Sequence, residues 1–269
     1  MKRFLKVITL CIMVLGMVLV TGCGQKAATE GGNTQATDKT ANEVKTYKVG
    51  TDASYAPFES IKPSGEIVGF DIDVLNAVAK AEGFKVEYVN TAWSGIFASI
   101  KEKNDMLISA ITITPDRAKE MDFSDPYFES TNYIAIPENS TISSVDDLKG
   151  KNVSVQQGTT GDEALKKFLG KDYAGIKRFP NNPAAFLELR NNKVDAAVAD
   201  SGVVLIYLKE NPEAKLKIVT DAKFDKEFYG IAVRKGNTEL KEKINSGINK
   251  IKASGEYDKI FEKYFGKQQ

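Results

Sequence analysis

The chain of 269 residues contains no histidine and only two cysteines, Cys11 and Cys23. Without histidine, a Ser-His-Asp relay and every His-ligated metal site are excluded. Cys11 lies inside an apolar run and Cys23 at its end, so the rest of the chain has neither a thiol nucleophile nor a disulfide. A core without disulfides must hold itself by burial, and the remaining length suffices for that. An excess of charge is lacking as well, with 37 basic residues against 36 acidic ones. Setting aside Lys2, Arg3 and Lys6 of the leader leaves 34 against 36, a net of −2, so neither nucleic acid nor an acidic polymer is expected as a partner. No second apolar run or signalling segment follows the leader, which argues against the sensing half of a receptor.

What is present begins with targeting. Lys2, Arg3 and Lys6 precede a nearly unbroken apolar run over 7–20 that is too short to span a membrane comfortably. The run ends in Leu19-Val20-Thr21-Gly22-Cys23, which resembles a bacterial lipobox. That resemblance implies a lipoprotein signal peptide over 1–22 and a lipidated Cys23 anchoring an extracytoplasmic protein to the cell membrane. The alternative is an ordinary secretory signal with a chance cysteine. Residues 23–44 are rich in Gly, Ala, Thr, Gln, Asn and Lys without apolar periodicity, and read as a flexible tether reaching on the order of 25 Å.

From there to the end, strand and helix patterns alternate. Short apolar strands are expected at 47–50, 86–89, 133–136, 152–155, 176–179, 194–199, 216–219 and 229–233. Helical spacing is expected over 71–82, 95–103, 161–169, 183–191, 203–210, 240–253 and 257–265, with Gly83 closing the first. This is an α/β pattern with largely parallel sheets, and its length suits two lobes of about 100 residues each.

The densest stretch is Met106 to Tyr127. Its apolar start reads as a buried strand ending near Ser109 or Ile111, and Thr114-Pro115-Asp116 reads as a helix start with Thr as N-cap and Pro at the first helical position. Arg117 then sits in the first turn, the wrong end of the helix dipole for a cation. It either pairs with Glu120 or Asp122 at the surface, or receives an anion. Ser109, Ala110 and Thr112 lie where the strand gives out, and with a guanidinium they would suit a small carboxylate.

Other candidates also carry two readings. Asp200, between a strand and a helix, is an N-cap or a ligand contact, roles that are compatible at a strand-to-helix turn. Asp52 is a turn residue or a charged contact. Trp93 and Tyr55 are packing anchors or faces for a cation. The loop Gln157-Gly158-Thr159-Thr160-Gly161 ahead of a helix could cradle an anion with backbone N–H groups.

Gly69-Phe70-Asp71-Ile72-Asp73-Val74 resembles the signature of the polar-amino-acid family of extracytoplasmic solute-binding proteins, which serve ABC importers. Thr51-Asp52-Ala53-Ser54-Tyr55-Ala56-Pro57-Phe58-Glu59, Ile111 to Arg117, Asp122-Phe123-Ser124-Asp125-Pro126-Tyr127-Phe128, Gln157 to Gly161, Asp195 to Asp200 and Gly255-Glu256-Tyr257-Asp258-Lys259-Ile260 follow the same family in order. The resemblance implies a two-lobed periplasmic-binding-protein-like fold of type II, with lobe 1 over 45–128 plus 229–266 and lobe 2 over 131–224. Two hinge crossings, near 127–131 and 225–229, would leave the ligand cleft between the lobes.

It further implies that Arg117 grips a ligand α-carboxylate, helped by Thr112 and by the backbone around Thr159 and Thr160. Asp200 and the Ala110 backbone would take the α-ammonium, and Asp52, Tyr55 and Trp93 would meet the side chain. Gln156 joins the expected ligand contacts, and it and Ala199 stand where glutamine-selective relatives place polar or basic contacts, which counts against glutamine without excluding it. The aromatic faces of Tyr55 and Trp93 with the charge of Asp52 favour a basic ligand, arginine first, ahead of glutamine or another polar amino acid. The expected partners are that amino acid, the membrane permease of an ABC importer and the membrane itself, with the chain a monomer. No cofactor, metal or catalytic residue is expected. Carboxylates alone could still do acid–base work, so an extracytoplasmic dehydratase of the same fold is the enzyme alternative.

Overall fold

The computed structural model describes residues 44–267. The expected signal peptide over 1–22, Cys23 and the expected tether up to position 43 lie outside the described residues. Among those described, no helix is long and apolar enough to cross a membrane.

Two five-stranded sheets organise two α/β lobes. The first runs Lys85–Asn90, Thr46–Thr51, Met106–Leu107, Ala232–Arg234, Met121–Phe123 across its width. The second runs Ile176–Phe179, Val153–Gln156, Ala196–Asp200, Asn132–Pro137, Leu216–Val219. In each, the first three strands are parallel. Ala232–Arg234 and Asn132–Pro137 run antiparallel to both of their neighbours. The sheets are therefore mixed, where the sequence pattern predicts largely parallel ones. Parallel pairing requires a long crossover back to the same edge. Strands laid down as the chain leaves one sheet for the other have no such return and pair antiparallel.

Between the sheets the chain passes twice, through Phe128–Ser130 and Glu227–Tyr229, which pair with each other antiparallel. The strand expected at 229–233 is thus two strands, Glu227–Tyr229 and Ala232–Arg234. The break falls at Gly230, whose N–H bonds the Ile111 carbonyl at 3.1 Å. Pairing then changes from Phe128–Ser130 to Met106–Leu107.

The signature stretch opens the helix Phe70–Glu82, whose Phe70, Val74, Leu75 and Val78 are fully buried and whose C-cap is the left-handed Gly83. Gly69 has φ +148°, and a Cβ there would lie 2.0 Å from the Phe58 carbonyl oxygen, so only glycine fits. This fit lets Phe58 and Phe70 meet edge to face at 6.0 Å, in a cluster with Phe128, Tyr229 and Phe265 of the last helix, Glu256–Phe265. Each well-placed aromatic pair contributes about 0.5–1.5 kcal/mol beyond its buried area. The other lobe has its own core, in which Ile134, Ile136, Val153, Val155 and Leu165 are fully buried.

Candidate functional site

The carboxyl ends of the parallel strands, where open α/β sheets place ligands, supply the site. Thr46–Thr51 ends at Asp52, Met106–Leu107 runs into Ser109 and Ala110, and Ala196–Asp200 ends at Asp200 itself. The strand expected to reach Ser109 or Ile111 stops at Leu107 because Ala110 takes a left-handed conformation, φ 46°, which ends the ladder. Thr114 caps the helix Pro115–Glu120 by accepting from the Arg117 N–H at 3.2 Å, with Pro115 at the first position as the sequence predicts.

That cap aims Arg117 inward. Its guanidinium lies over the rings of Trp93 and Phe97, 5.4 and 4.9 Å from their centroids, and donates to the Thr112 carbonyl at 2.9 Å. The surface pairing offered as an alternative is not made. Glu120 is held by Lys101 at 2.6 Å and Asp122 by Lys235 at 2.8 Å. Burial pulls the Arg117 pKa below its ordinary range, opposed by the charges of Asp200 and Glu227.

One cavity is lined by Tyr55, Trp93, Ser109, Ala110, Thr112 and Arg117 from one side and by Thr159, Thr160 and Asp200 from the other. It encloses about 10 Å³, room for one water, so anything larger requires its walls to part. Asp200 occupies the N-cap position of the helix Ser201–Glu210 but makes no capping bond. Its carboxylate accepts from the Tyr229 hydroxyl instead, with the Tyr55 hydroxyl close by. Burial, then the charge of Glu227, raises its pKa to about 7, with Arg117 pulling the other way.

Two expected contacts stand outside the lining. Asp52 Oδ1 accepts from the Ser54 hydroxyl at 2.8 Å, and its Oδ2 accepts from Gln156 Nε2 at 3.4 Å, a link between the two sheets' strand ends. Burial raises the Asp52 pKa. The face of Trp93, expected to receive a ligand cation, carries Arg117. The anion-cradle loop is also partly spoken for. The Gly158 N–H donates to Asp162 at 3.0 Å, and Thr159 caps the helix Thr160–Leu169.

Glu227 was not legible as a site residue. Its Oε2 accepts from the hydroxyls of Thr112 at 2.7 Å and Thr160 at 2.8 Å, and its Oε1 from Asn132 at 2.7 Å. It thereby joins residues of both lobes from within the crossing strand, with Thr112 and Thr160 as a partition between the small cavity and a wider groove. The available signal was alternation. In Glu227-Phe228-Tyr229, Phe228 is exposed, so the acid and the buried Tyr229 share the inward face. Among the described residues no group of histidine, cysteine or acidic side chains is arranged to hold a metal.

This arrangement offers a guanidinium for a carboxylate and, opposite, a carboxylate for a cation, and relatives of the chain bind molecules of that kind. A probable histidine-binding protein of Neisseria gonorrhoeae is 41% identical over 270 residues, covering 100% of this chain and 97% of that protein. The arginine-, lysine-, histidine-binding protein ArtJ of Geobacillus stearothermophilus superposes with a TM-score of 0.80 at 44% identity, over 84% of this chain and 97% of the other. An ancestral arginine-binding protein, described bound to arginine, gives a TM-score of 0.76 at 46% identity over 82% of this chain and 98% of its own. The profile of bacterial extracellular solute-binding proteins, family 3, matches residues 47–267. The chain therefore belongs to the family 3 bacterial extracellular solute-binding proteins.

Proposed function

We propose that the chain captures a basic amino acid, arginine first, and delivers it to the permease of an ABC importer from a lipid anchor at Cys23. The observation that carries this reading is the opposition of Arg117 and Asp200 across one cavity between two lobes. A zwitterion needs one receptor of each charge, at the separation of its own two ends. Lobes parted at the paired crossings Phe128–Ser130 and Glu227–Tyr229 would admit the ligand and close on it by hinge motion. The lobe bounds 45–128 plus 229–266 and 131–224 belong to the same reading. So do Ser109, Thr112 and the backbone around Thr159 and Thr160 as carboxylate contacts, and Ala110 as a backbone contact for the ammonium. Relatives named for arginine and histidine binding favour a cationic side chain. That side chain would meet the Asp52–Gln156 link, with Tyr55 beside it, rather than the face of Trp93 already covered by Arg117. Glutamine is the second reading, because an ancestral protein 46% identical to this chain is described bound to it.

A thermal-shift panel of the refolded chain against the common amino acids tests this. A ligand that binds only the folded state stabilises it by about 4 kcal/mol at a thousandfold excess over Kd. Arginine or lysine is expected to give the largest shift. Asp52→Asn is expected to weaken arginine far more than any neutral amino acid, because the compensating charge for a cationic tip is lost. If glutamine shifts the protein most and Asp52→Asn does not discriminate, the basic-ligand reading fails. Turnover of a prephenate-like acid without any amino-acid shift would replace binding by the dehydratase alternative.

The anchor is tested separately. Cys23→Ala is expected to release a folded, ligand-binding chain from the membrane fraction, since each buried CH₂ of an acyl chain holds by about 0.8 kcal/mol and a polar tether by nothing. Retention of the variant on membranes after a salt wash would count against lipidation.

A further inference from the structure

Behind the cavity wall lie two acids that touch no ligand-facing space. Glu59 and Asp71 are both fully buried. Asp71 stands in the first turn of Phe70–Glu82, and its Oδ2 accepts from the Ala110 N–H at 2.7 Å and from the Tyr127 hydroxyl at 2.8 Å. Glu59 Oε1 accepts from the Ser109 hydroxyl at 2.7 Å, and that oxygen in turn accepts from the Asp52 N–H at 3.1 Å. Each acid thus grips one of the two adjacent residues that form the cavity floor. The second oxygen of each, Glu59 Oε2 and Asp71 Oδ1, is buried without a hydrogen-bond partner, and the two residues are brought together by the Asp71 N–H, which donates to the Phe58 carbonyl next to Glu59 at 3.0 Å.

Two carboxylates cannot bond without a hydrogen between them, and two adjacent buried charges without a cation are prohibitive. Neither acid has a salt bridge among the described residues. The groups facing the pair are Asp52 at the end of Thr46–Thr51, Tyr55 in the hairpin that follows, Tyr88 in Lys85–Asn90, Tyr127 before the first crossing and Tyr257 in the last helix. All are acids or phenols. We propose that Glu59 and Asp71 hold one proton between Oε2 and Oδ1, and that this proton-sharing pair is the positioning element of the Ser109–Ala110 floor. The proposal rests on the binding function in taking that floor as part of the ligand site.

The physical reason for such a device is the backbone at Ala110. A non-glycine residue at φ 46° persists only where its surroundings over-determine it. The Asp71 carboxylate on its N–H supplies that constraint, and Glu59 does the same for Ser109. The chemistry also has a direction with pH. Burial raises Glu59 well above its ordinary range and Asp71 to about 7. An acid whose folded pKa is raised holds a proton that the unfolded chain gives up, so its stabilisation is complete below about pH 4 and is lost as pH rises through about 7. On losing the proton, the two anions repel, the floor loosens and binding weakens. Asp200 titrates in the same region with the opposite effect on binding, so the pair must be read from differences between variants.

The test is a set of three amide variants in the full chain purified in mild detergent. Glu59→Gln places an N–H where the proton was and keeps an oxygen for Ser109. Asp71→Asn does the same in reverse and keeps an oxygen for Ala110 and Tyr127. Each single variant is expected to bind L-arginine within about threefold of wild type at neutral pH and to lose the pair's alkaline decline. The double variant sets two N–H donors face to face, and is expected to bind at least about tenfold more weakly than either single.

Infrared spectra of each single variant subtracted from wild type at neutral pH are expected to leave a protonated-carboxyl band, the band of Asp200 being common to all and cancelling. Additive behaviour of the double variant, or no such band, would overturn the shared proton. If the double variant does not fold, the band and the singles' pH profiles decide the matter. If wild type fails to bind arginine, the basic-ligand reading falls, while the band and the pH dependence of thermal unfolding still decide the pair.

Discussion

Arg117→Ala is expected to lower ligand affinity by about thirtyfold to several thousandfold while leaving the chain folded. The range follows from removing one member of a desolvated, hydrogen-bonded charge pair, which costs about 2–5 kcal/mol. The fold should survive, because the guanidinium packs over Trp93 and Phe97 and bonds one carbonyl, while the helix start is held by Thr114 through the backbone. Trp93 and Phe97 also meet edge to face at 5.0 Å without it. Lysine at this position would restore charge but not the two-pronged geometry, and is expected to recover only part of the loss. Calorimetry of the purified variant against the ligand identified by thermal shift checks this. An unchanged Kd would mean that the carboxylate is gripped elsewhere.

Asp200→Asn is expected to be as damaging to binding, and to do the opposite to ligand-free stability above neutral pH. The carboxylate that would receive the α-ammonium is buried, bonded to Tyr229 and raised to about 7 by burial and by Glu227. Binding a cation needs the ionised form, so the contribution of Asp200 to affinity should climb as pH rises through about 7, with proton release on binding. The amide cannot ionise, and removes both the climb and about 2–5 kcal/mol of interaction.

Stability runs the other way. With the folded pKa raised, Asp200 contributes fully below about pH 4 and loses that contribution as pH rises through about 7. Asparagine escapes this, so the ligand-free variant should melt higher than wild type at alkaline pH. Thermal unfolding from acid to alkaline pH, with and without ligand, separates the two effects. A variant that melts lower than wild type in alkali would show that the charge of Asp200 serves the fold.

Much of this was readable in one dimension because it depends on neighbours in sequence. The helix start at Thr114-Pro115 and the Gly83 stop need only capping geometry, and both stand where the sequence puts them. The periodicity of apolar residues placed the strand Ile176–Phe179 and the helix Phe70–Glu82 to within a residue. The ordered motifs carried the family and the two-lobed fold, and nine of the eleven named site residues line one cavity.

What sequence spacing could not decide was which groups satisfy each other across long separations. Arg117 had two nearby acids to pair with, and only the packed lobe shows those acids taken by Lys101 and Lys235, leaving the guanidinium to turn inward. Asp52 has a partner no spacing shows, because its carboxylate accepts from Gln156 of the other lobe. Glu227 was passed over because an acid before two aromatics is unremarkable in sequence, until the crossing strand brings Thr112, Thr160 and Asn132 to its two oxygens. The antiparallel strands and the shared-proton geometry of Glu59 and Asp71 have the same origin. Local sequence determined where elements start and which faces are apolar, because those depend on a few bonds of backbone. The pairing of polar groups was settled only by tertiary structure, because a buried donor or acceptor must find its partner wherever the fold brings one, however far away in the chain.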